Sequence, residues 1–160
     1  MELDVTIIDK LKGLLSKIIS LGKKISLFVV VQQEDSNTWD LVIGGNKLDT
    51  KGNLDLITAN IKKIFEKNEI VLFSRLILLN SDHSFLNSIN RAFAIENGSL
   101  KIENTRIDNV LIKNAYLFYS KSIDYTGPER KQEVIEENVK VKDTTTSSTA
   151  QKNIDIGGKY

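Results

Sequence analysis

The chain contains no cysteine, one proline, one histidine and one methionine among its 160 residues. The absence of cysteine excludes disulfides, thiolate catalysis and zinc sites built from thiolates. A single histidine leaves little material for a Ser-His-Asp triad. No apolar run approaches the roughly 20 residues that a bilayer-spanning helix requires. The start, MELDVTIIDK, carries acidic residues where a signal peptide carries positive charge, so we expect a cytoplasmic protein with no membrane contact.

Neither sign of charge dominates the composition. The 22 Lys and Arg are balanced by 21 Asp and Glu, which leaves a net charge of +1. Proteins that bind nucleic acid usually carry a basic excess on one face, so nucleic acid is not an expected partner. The length and the 41% hydrophobic content are typical of one globular domain with its own core.

The apolar pattern predicts three helices, over 3–21, 53–67 and 82–93. Runs rich in β-branched residues predict strands over 25–33, 39–45 and 69–79, the last with room for a helical turn at its start.

Turn chemistry and periodicity indicate how these strands are placed. The turn residues EDSNT join the first two strands, which favours an antiparallel hairpin. The run 27–31 lacks alternation, so we expect the first strand to be central and covered on both faces. The apolar run in 69–79 likewise predicts a buried strand.

Residues 100–118 contain a short internal repeat. Apolar residues recur every five positions, at Ile102, Ile107, Ile112 and Leu117, and asparagines stand at 104, 109 and 114. This resembles the five-residue repeat of pentapeptide-repeat proteins, which implies a square β-helix. About four repeats make only one coil, and repeat arrays need several to bury a core. Two or three consecutive strands joined by Asn-containing turns are therefore the favoured interpretation.

These elements predict a single α+β domain over about residues 1–125. We expect a mixed sheet of four to six strands, an N-terminal amphipathic helix and two further helices that cover mainly one face. A three-layer α/β sandwich is the alternative. Residues 126–160 form a polar, Thr/Ser-rich tail that cannot bury enough apolar surface to order itself unless a partner holds it.

Asp82 and His83 are the first candidate catalytic residues. They follow an apolar strand, where open α/β sheets place ligand sites, and a histidine there could act as a general base. The competing interpretation is structural. Asn80, Ser81 or Asp82 can cap the next helix, which puts His83 in its first turn.

Carboxylates at the hairpin end are the second candidate. Glu34, Asp35, Asp40 and Asp49 carry the oxygen ligands that Mg²⁺ or Ca²⁺ prefers, but their spacing fits no known calcium loop and acidic residues are ordinary in turns. Gly44 and Gly45 lack the spacing of a phosphate-binding loop. We expect them to supply positive φ where the strand ends.

Two hypotheses of different classes follow. The favoured one is a non-enzymatic protein-interaction module, an accessory or regulatory subunit that binds a protein partner or a second copy of itself. Trp39, Tyr116 and Tyr119 are its candidate interface residues, and no cofactor or metal is expected. The alternative is a small metal-dependent hydrolase or nuclease that uses Asp82, His83 and a hairpin carboxylate, Asp35 or Asp40.

Overall fold

A computed structural model describes residues 2–32 and 37–122 of the chain. Four helices and five strands occur in these two ranges. In chain order they are α1 (Val5–Ser20), β1 (Ile25–Gln32), β2 (Trp39–Gly45), α2 (Lys51–Ile64), α3 (Lys67–Ile70), β3 (Phe73–Asn80), α4 (Ser84–Ala92), β4 (Leu100–Ile107) and β5 (Val110–Ser120).

The five strands form one mixed sheet in the order β3-β2-β1-β5-β4. β1 pairs antiparallel with both β2 and β5, and β4 pairs antiparallel with β5. β2 and β3 are parallel, which requires a crossover connection, and α2 and α3 supply it. The predicted single α+β domain with a mixed sheet is confirmed, as are the β1–β2 hairpin and the central position of β1. The proposed tail, 126–160, lies outside the described residues.

α1 and α2 pack on one face of the sheet. Asp4 caps the start of α1, because its carboxylate accepts from the Thr6 N–H, and Gly22 adopts a φ of 86° just beyond the helix end. The buried residues of α1 recur at three- and four-residue steps: Ile7, Leu11, Leu14, Leu15 and Ile18. Each fully buried aliphatic side chain contributes roughly 1.5–3 kcal/mol, so this stripe fixes α1 on the sheet.

α4 packs on the opposite face, through Phe85, Leu86 and Ile89. The expectation of helices mainly on one face therefore holds for α1 and α2 but not for α4. Gly44 permits this packing, because a Cβ there would lie 2.1 Å from Leu86 Cδ1.

The two glycines that end β2 do not have the role expected from the sequence. Positive φ among glycines occurs only at Gly22 and Gly98 in the described residues, so the expectation for Gly44 and Gly45 is wrong. A Cβ at Gly45 would lie 2.1 Å from the Lys24 carbonyl oxygen. Both positions need glycine because a neighbouring element approaches closely, not because the backbone turns.

β4 and β5 form an ordinary antiparallel hairpin, not a coil of five-residue repeats. Asp108 and Asn109 make its two-residue turn with φ of 53° and 66°, as a type I′ turn requires. Asn104, at φ 45°, interrupts the alternation of β4, so that Glu103 and Asn104 are both exposed. That interruption brings Ile102 and Ile107 to the same face although five residues separate them.

No helix among the residues that the structure describes is both long and apolar enough to cross a bilayer.

Candidate interaction surface

Asp82 and His83 lie at the start of α4. The Phe85 N–H donates to His83 Nδ1 at 3.1 Å, which makes His83 itself the N-cap. The Asn80 side-chain amide donates to Asp82 Oδ1 at 2.8 Å. The sequence predicted a cap from Asn80, Ser81 or Asp82, but His83 supplies it. The Nδ1 atom of His83 therefore already accepts a hydrogen bond from the helix backbone.

Asp40 lies near the start of β2, whereas Asp82 and His83 follow the end of the neighbouring strand β3. In the β2–β3 register Asp40 is opposite Arg75, whereas Asn80 is opposite Gly45. Five residues separate these positions, which corresponds to about 16 Å along the strands at about 3.3 Å per residue. Asp40 is fully buried and Arg75 binds it through two hydrogen bonds, from Nε at 3.2 Å and from Nη2 at 2.7 Å.

The structure therefore does not bring Asp40 together with Asp82 and His83. Asp35 falls outside the described residues. Within 2–32 and 37–122, no group of three or more histidine and acidic side chains is arranged to hold a metal ion.

Two of the three aromatic interface candidates lie in the core. Trp39 is fully buried, and its ring centroid lies 5.6 Å from that of Tyr116, which is 6% exposed. The Tyr116 hydroxyl donates to Glu2 Oε1 at 2.6 Å, and Glu2 also pairs with Lys101. Tyr119 is half-buried. Trp39 therefore offers a partner no surface in this arrangement.

The two edges of the sheet differ sharply in chemistry. β4, at one edge, carries Lys101, Glu103 and Arg106, together with the irregular Asn104. Charges and irregularities of this kind protect an edge strand against pairing with another chain. β3, at the other edge, reads FSRLILLN and has one charged residue, Arg75. No strand in the described part of the chain pairs with its outer side.

β3 is less buried than its composition predicts. Only Leu79 is buried along the strand, and Leu76, Ile77 and Leu78 are half-buried. The expectation of a buried strand over 69–79 is therefore wrong for most of β3. An apolar run indicates that a strand packs, but it does not tell an edge position from a central one.

An apolar pocket of about 160 Å³ lies beside β3. Its walls come from α2, from the connection that follows it and from β3 itself; they include Thr58, Ile61, Phe65, Ile70, Phe73 and Leu76. The rings of Phe65 and Phe73 meet edge to face, with centroids 5.4 Å apart. The pocket opens on the α1–α2 face, where Leu76 and Leu78 also pack. We call the outer side of β3 and this pocket together the β3 groove.

α3 holds one wall of the β3 groove in place. The Glu66 N–H donates to Glu69 Oε1 at 2.8 Å, and Lys10 Nζ of α1 lies 2.6 Å from the same oxygen. The Glu66 N–H, and then Lys10, hold the pKa of Glu69 below its usual value of 4.5. These contacts tie the four-residue α3 to α1, and so position Ile70 at the pocket.

Arg75 keeps the β3 groove electrically neutral. Arg75 is one of the residues beside the pocket, and its guanidinium compensates the Asp40 carboxylate, so the one charge on the strand is matched within the protein. A partner strand would therefore meet apolar side chains and an ion pair, not an uncompensated charge.

Comparisons with known proteins give no relative: no family model, no curated protein and no solved structure matches this chain.

The β3 groove was not found from the sequence. The sequence does contain one indication of an unprotected edge strand: residues 73–80 include neither lysine nor proline, which commonly protect edge strands. The pocket could not be predicted from the sequence. Its lining residues are spread from 41 to 76 and come together only when α2 and β3 pack side by side.

Proposed function

We propose that the protein is a non-enzymatic interaction module of the cytoplasm, an accessory or regulatory subunit that binds a protein partner at the β3 groove. One observation carries the proposal. β3 is an apolar edge strand with no lysine, proline or acidic residue, whereas the opposite edge strand, β4, carries three charges.

The mode of binding that fits this surface is strand addition. An extended segment pairs with the open side of β3, and main-chain hydrogen bonds supply affinity. The neighbouring pocket supplies specificity, because a volume of about 160 Å³ accepts one large apolar side chain, as a cavity of about 150 Å³ accepts benzene.

The geometry offers the hydrolase alternative no support. Asp40 is compensated by Arg75 at one end of the sheet, and His83 accepts the capping N–H of α4 at the other.

Selection of short random peptides displayed on phage tests the proposal. We expect the selected peptides to be rich in alternating apolar residues. Their affinity should fall by at least about tenfold, or about 1.4 kcal/mol, in the Leu78→Lys variant. Leu111→Lys is the matched control, because Leu111 is an exposed strand leucine of the β4–β5 hairpin, away from β3.

Either of two results would overturn the proposal. One is a selection that yields no binder above background. The other is a set of binders whose affinity is the same for Leu78→Lys and Leu111→Lys, provided that both variants keep the wild-type circular dichroism spectrum.

A further inference from the structure

We infer that the partner at the β3 groove is a second copy of this chain, joined by antiparallel pairing of β3 with β3 about a two-fold axis. The inference rests on the proposed function, since it names the occupant of the same surface. The result would be a continuous ten-stranded sheet, with the two charged β4 strands at its outer edges.

The charge pattern of β3 suits pairing with itself. In a two-fold interface each residue near the axis meets itself or a close neighbour, so any uncompensated charge meets a like charge. The only charge on β3 is Arg75, and Asp40 neutralises it. A β4–β4 pair would instead bring two copies of Lys101, Glu103 and Arg106 into one seam. Lys101 pairs with Glu2 and Glu103, but burial of so many charges carries a desolvation cost that disfavours that edge.

The side-chain alternation of β3 restricts the register. Leu76 and Leu78 pack toward the α1–α2 face, whereas Ile77 and Leu79 pack toward the α4 face. Directly opposite residues of an antiparallel pair point to the same face, so the axis must pass through a residue rather than between two residues. An axis at Ile77, next to the middle of β3, gives as long an overlap of the two strands as this condition allows; it places Leu76 opposite the partner's Leu78 and Arg75 opposite the partner's Leu79.

The pocket then has an occupant. A two-fold axis normal to the sheet keeps the α1–α2 faces of both copies on the same side. Leu76 and Leu78 of each copy therefore lie on the side where the other copy's pocket opens. Each pocket is next to the new seam, and a leucine from across the axis covers its apolar walls.

Sedimentation velocity of the full chain over a range of concentrations is the first test. We expect the wild type and Leu111→Lys to form dimers, and the dimer of Leu78→Lys to be weakened at least about tenfold. A wild-type chain that is monomeric at about 1 mM, the weak end of specific affinities, would overturn the inference. So would equal dimerisation of the two variants.

Cysteine cross-linking tests the register, because the native chain has no thiol. In the expected register Ile77 lies opposite itself, with Cβ atoms about 4.5–5.5 Å apart. This separation is close to the about 3.5–4.5 Å found in disulfides. Ile77→Cys should therefore form a disulfide-linked dimer on mild oxidation. Leu76→Cys should not, because Leu76 and its own copy are diagonal neighbours about 7–8 Å apart. Equal cross-linking of both variants, or of neither, would contradict the register.

The two proposals can fail separately. The wild type could be monomeric and still bind selected peptides, with lower affinity in Leu78→Lys. That result would keep the β3 groove as a binding surface and overturn only the self-association. A monomeric wild type that binds no peptide would remove both.

Discussion

Arg75 on β3 binds the fully buried carboxylate of Asp40 on the neighbouring parallel strand through two hydrogen bonds, of 3.2 and 2.7 Å. A buried carboxylate is costly unless it is paired, and this pair lies directly beside the open edge of the sheet. The contact thus has two consequences. It links the edge strand to β2, and it leaves the β3 groove without net charge.

Removal of Arg75 should destabilise the fold. We expect Arg75→Met to lower the free energy of unfolding by about 3 kcal/mol, because it leaves the Asp40 carboxylate without the cation beside it. The double variant Asp40→Leu/Arg75→Leu should recover most of that loss, since an apolar pair needs no compensation. Urea unfolding followed by the fluorescence of the single, buried Trp39 measures both. Equal loss in the single and double variants would show that packing, not charge, stabilises this position.

His83 should be replaceable by other capping residues. We expect His83→Ala to cost about 1 kcal/mol of unfolding free energy through loss of the N-cap, and His83→Asp or His83→Asn to cost much less. Asp82→Ala is the comparison, because Asp82 accepts from the Asn80 side chain and not from the helix backbone. If Asp82→Ala costs more than His83→Ala, the imidazole is not the cap that stabilises α4.

A side chain at Gly44 should destabilise the fold. Gly44→Ala places a Cβ 2.1 Å from Leu86 Cδ1, so we expect a loss of about 1–3 kcal/mol from overpacking. Leu86→Ala in the same chain should relieve part of the clash. Gly52→Ala in α2 is the matched control: its Cβ meets nothing within 4 Å, and alanine should stabilise the helix by about 0.5–1 kcal/mol. Thermal unfolding followed by circular dichroism compares Gly44→Ala, the double variant with Leu86→Ala, and Gly52→Ala with the wild type. Equal melting temperatures for Gly44→Ala and the wild type would refute the close contact.

The stability of the domain should fall at alkaline pH. Burial, and then the hydrogen bond to Glu2, raise the pKa of Tyr116 above its ordinary value of 10.0. The folded state therefore favours the neutral phenol. The neutral Tyr116 phenol therefore contributes to the free energy of unfolding. This contribution is fully present below pH 10.0 and is lost as the pH rises through the pKa of Tyr116 in the folded state. Tyr116→Phe has no phenol to ionise, so its unfolding free energy should fall less steeply above pH 10. Equal slopes for the two proteins would contradict this origin.

The sequence predicted most of the elements because their signals are local. The three- and four-residue spacing in α1, the β-branched runs of β1 and β2 and the turn residues between them each appear within a short window. The central place of β1 was also predictable, because 27–31 is apolar at every position. The edge position of β3 was not, since its apolar run is equally compatible with a strand that has neighbours on both sides.

Several differences between the local sequence pattern and the structure have a tertiary cause. Gly44 and Gly45 have the sequence pattern of turn residues. Glycine is needed at both because of close contacts, with Leu86 at Gly44 and with the Lys24 backbone at Gly45. Of the five-residue steps in 102–117, the one from Ile102 to Ile107 spans the irregular Asn104, and the favoured interpretation of consecutive strands joined by an Asn-containing turn agrees with the β4–β5 hairpin. Asp40 remained a candidate ligand in the sequence because its partner, Arg75, stands 35 residues away.

Hydrogen–deuterium exchange at low and high protein concentration shows directly which edge strand pairs with a second copy, because it measures the backbone amides of each edge strand separately. If β3 pairs with β3 of a second copy, amides in 73–80 become more protected as the concentration rises, while those in 100–107 exchange at unchanged rates. Exchange in 73–80 that does not depend on concentration, or new protection that appears in 100–107 instead, would contradict it.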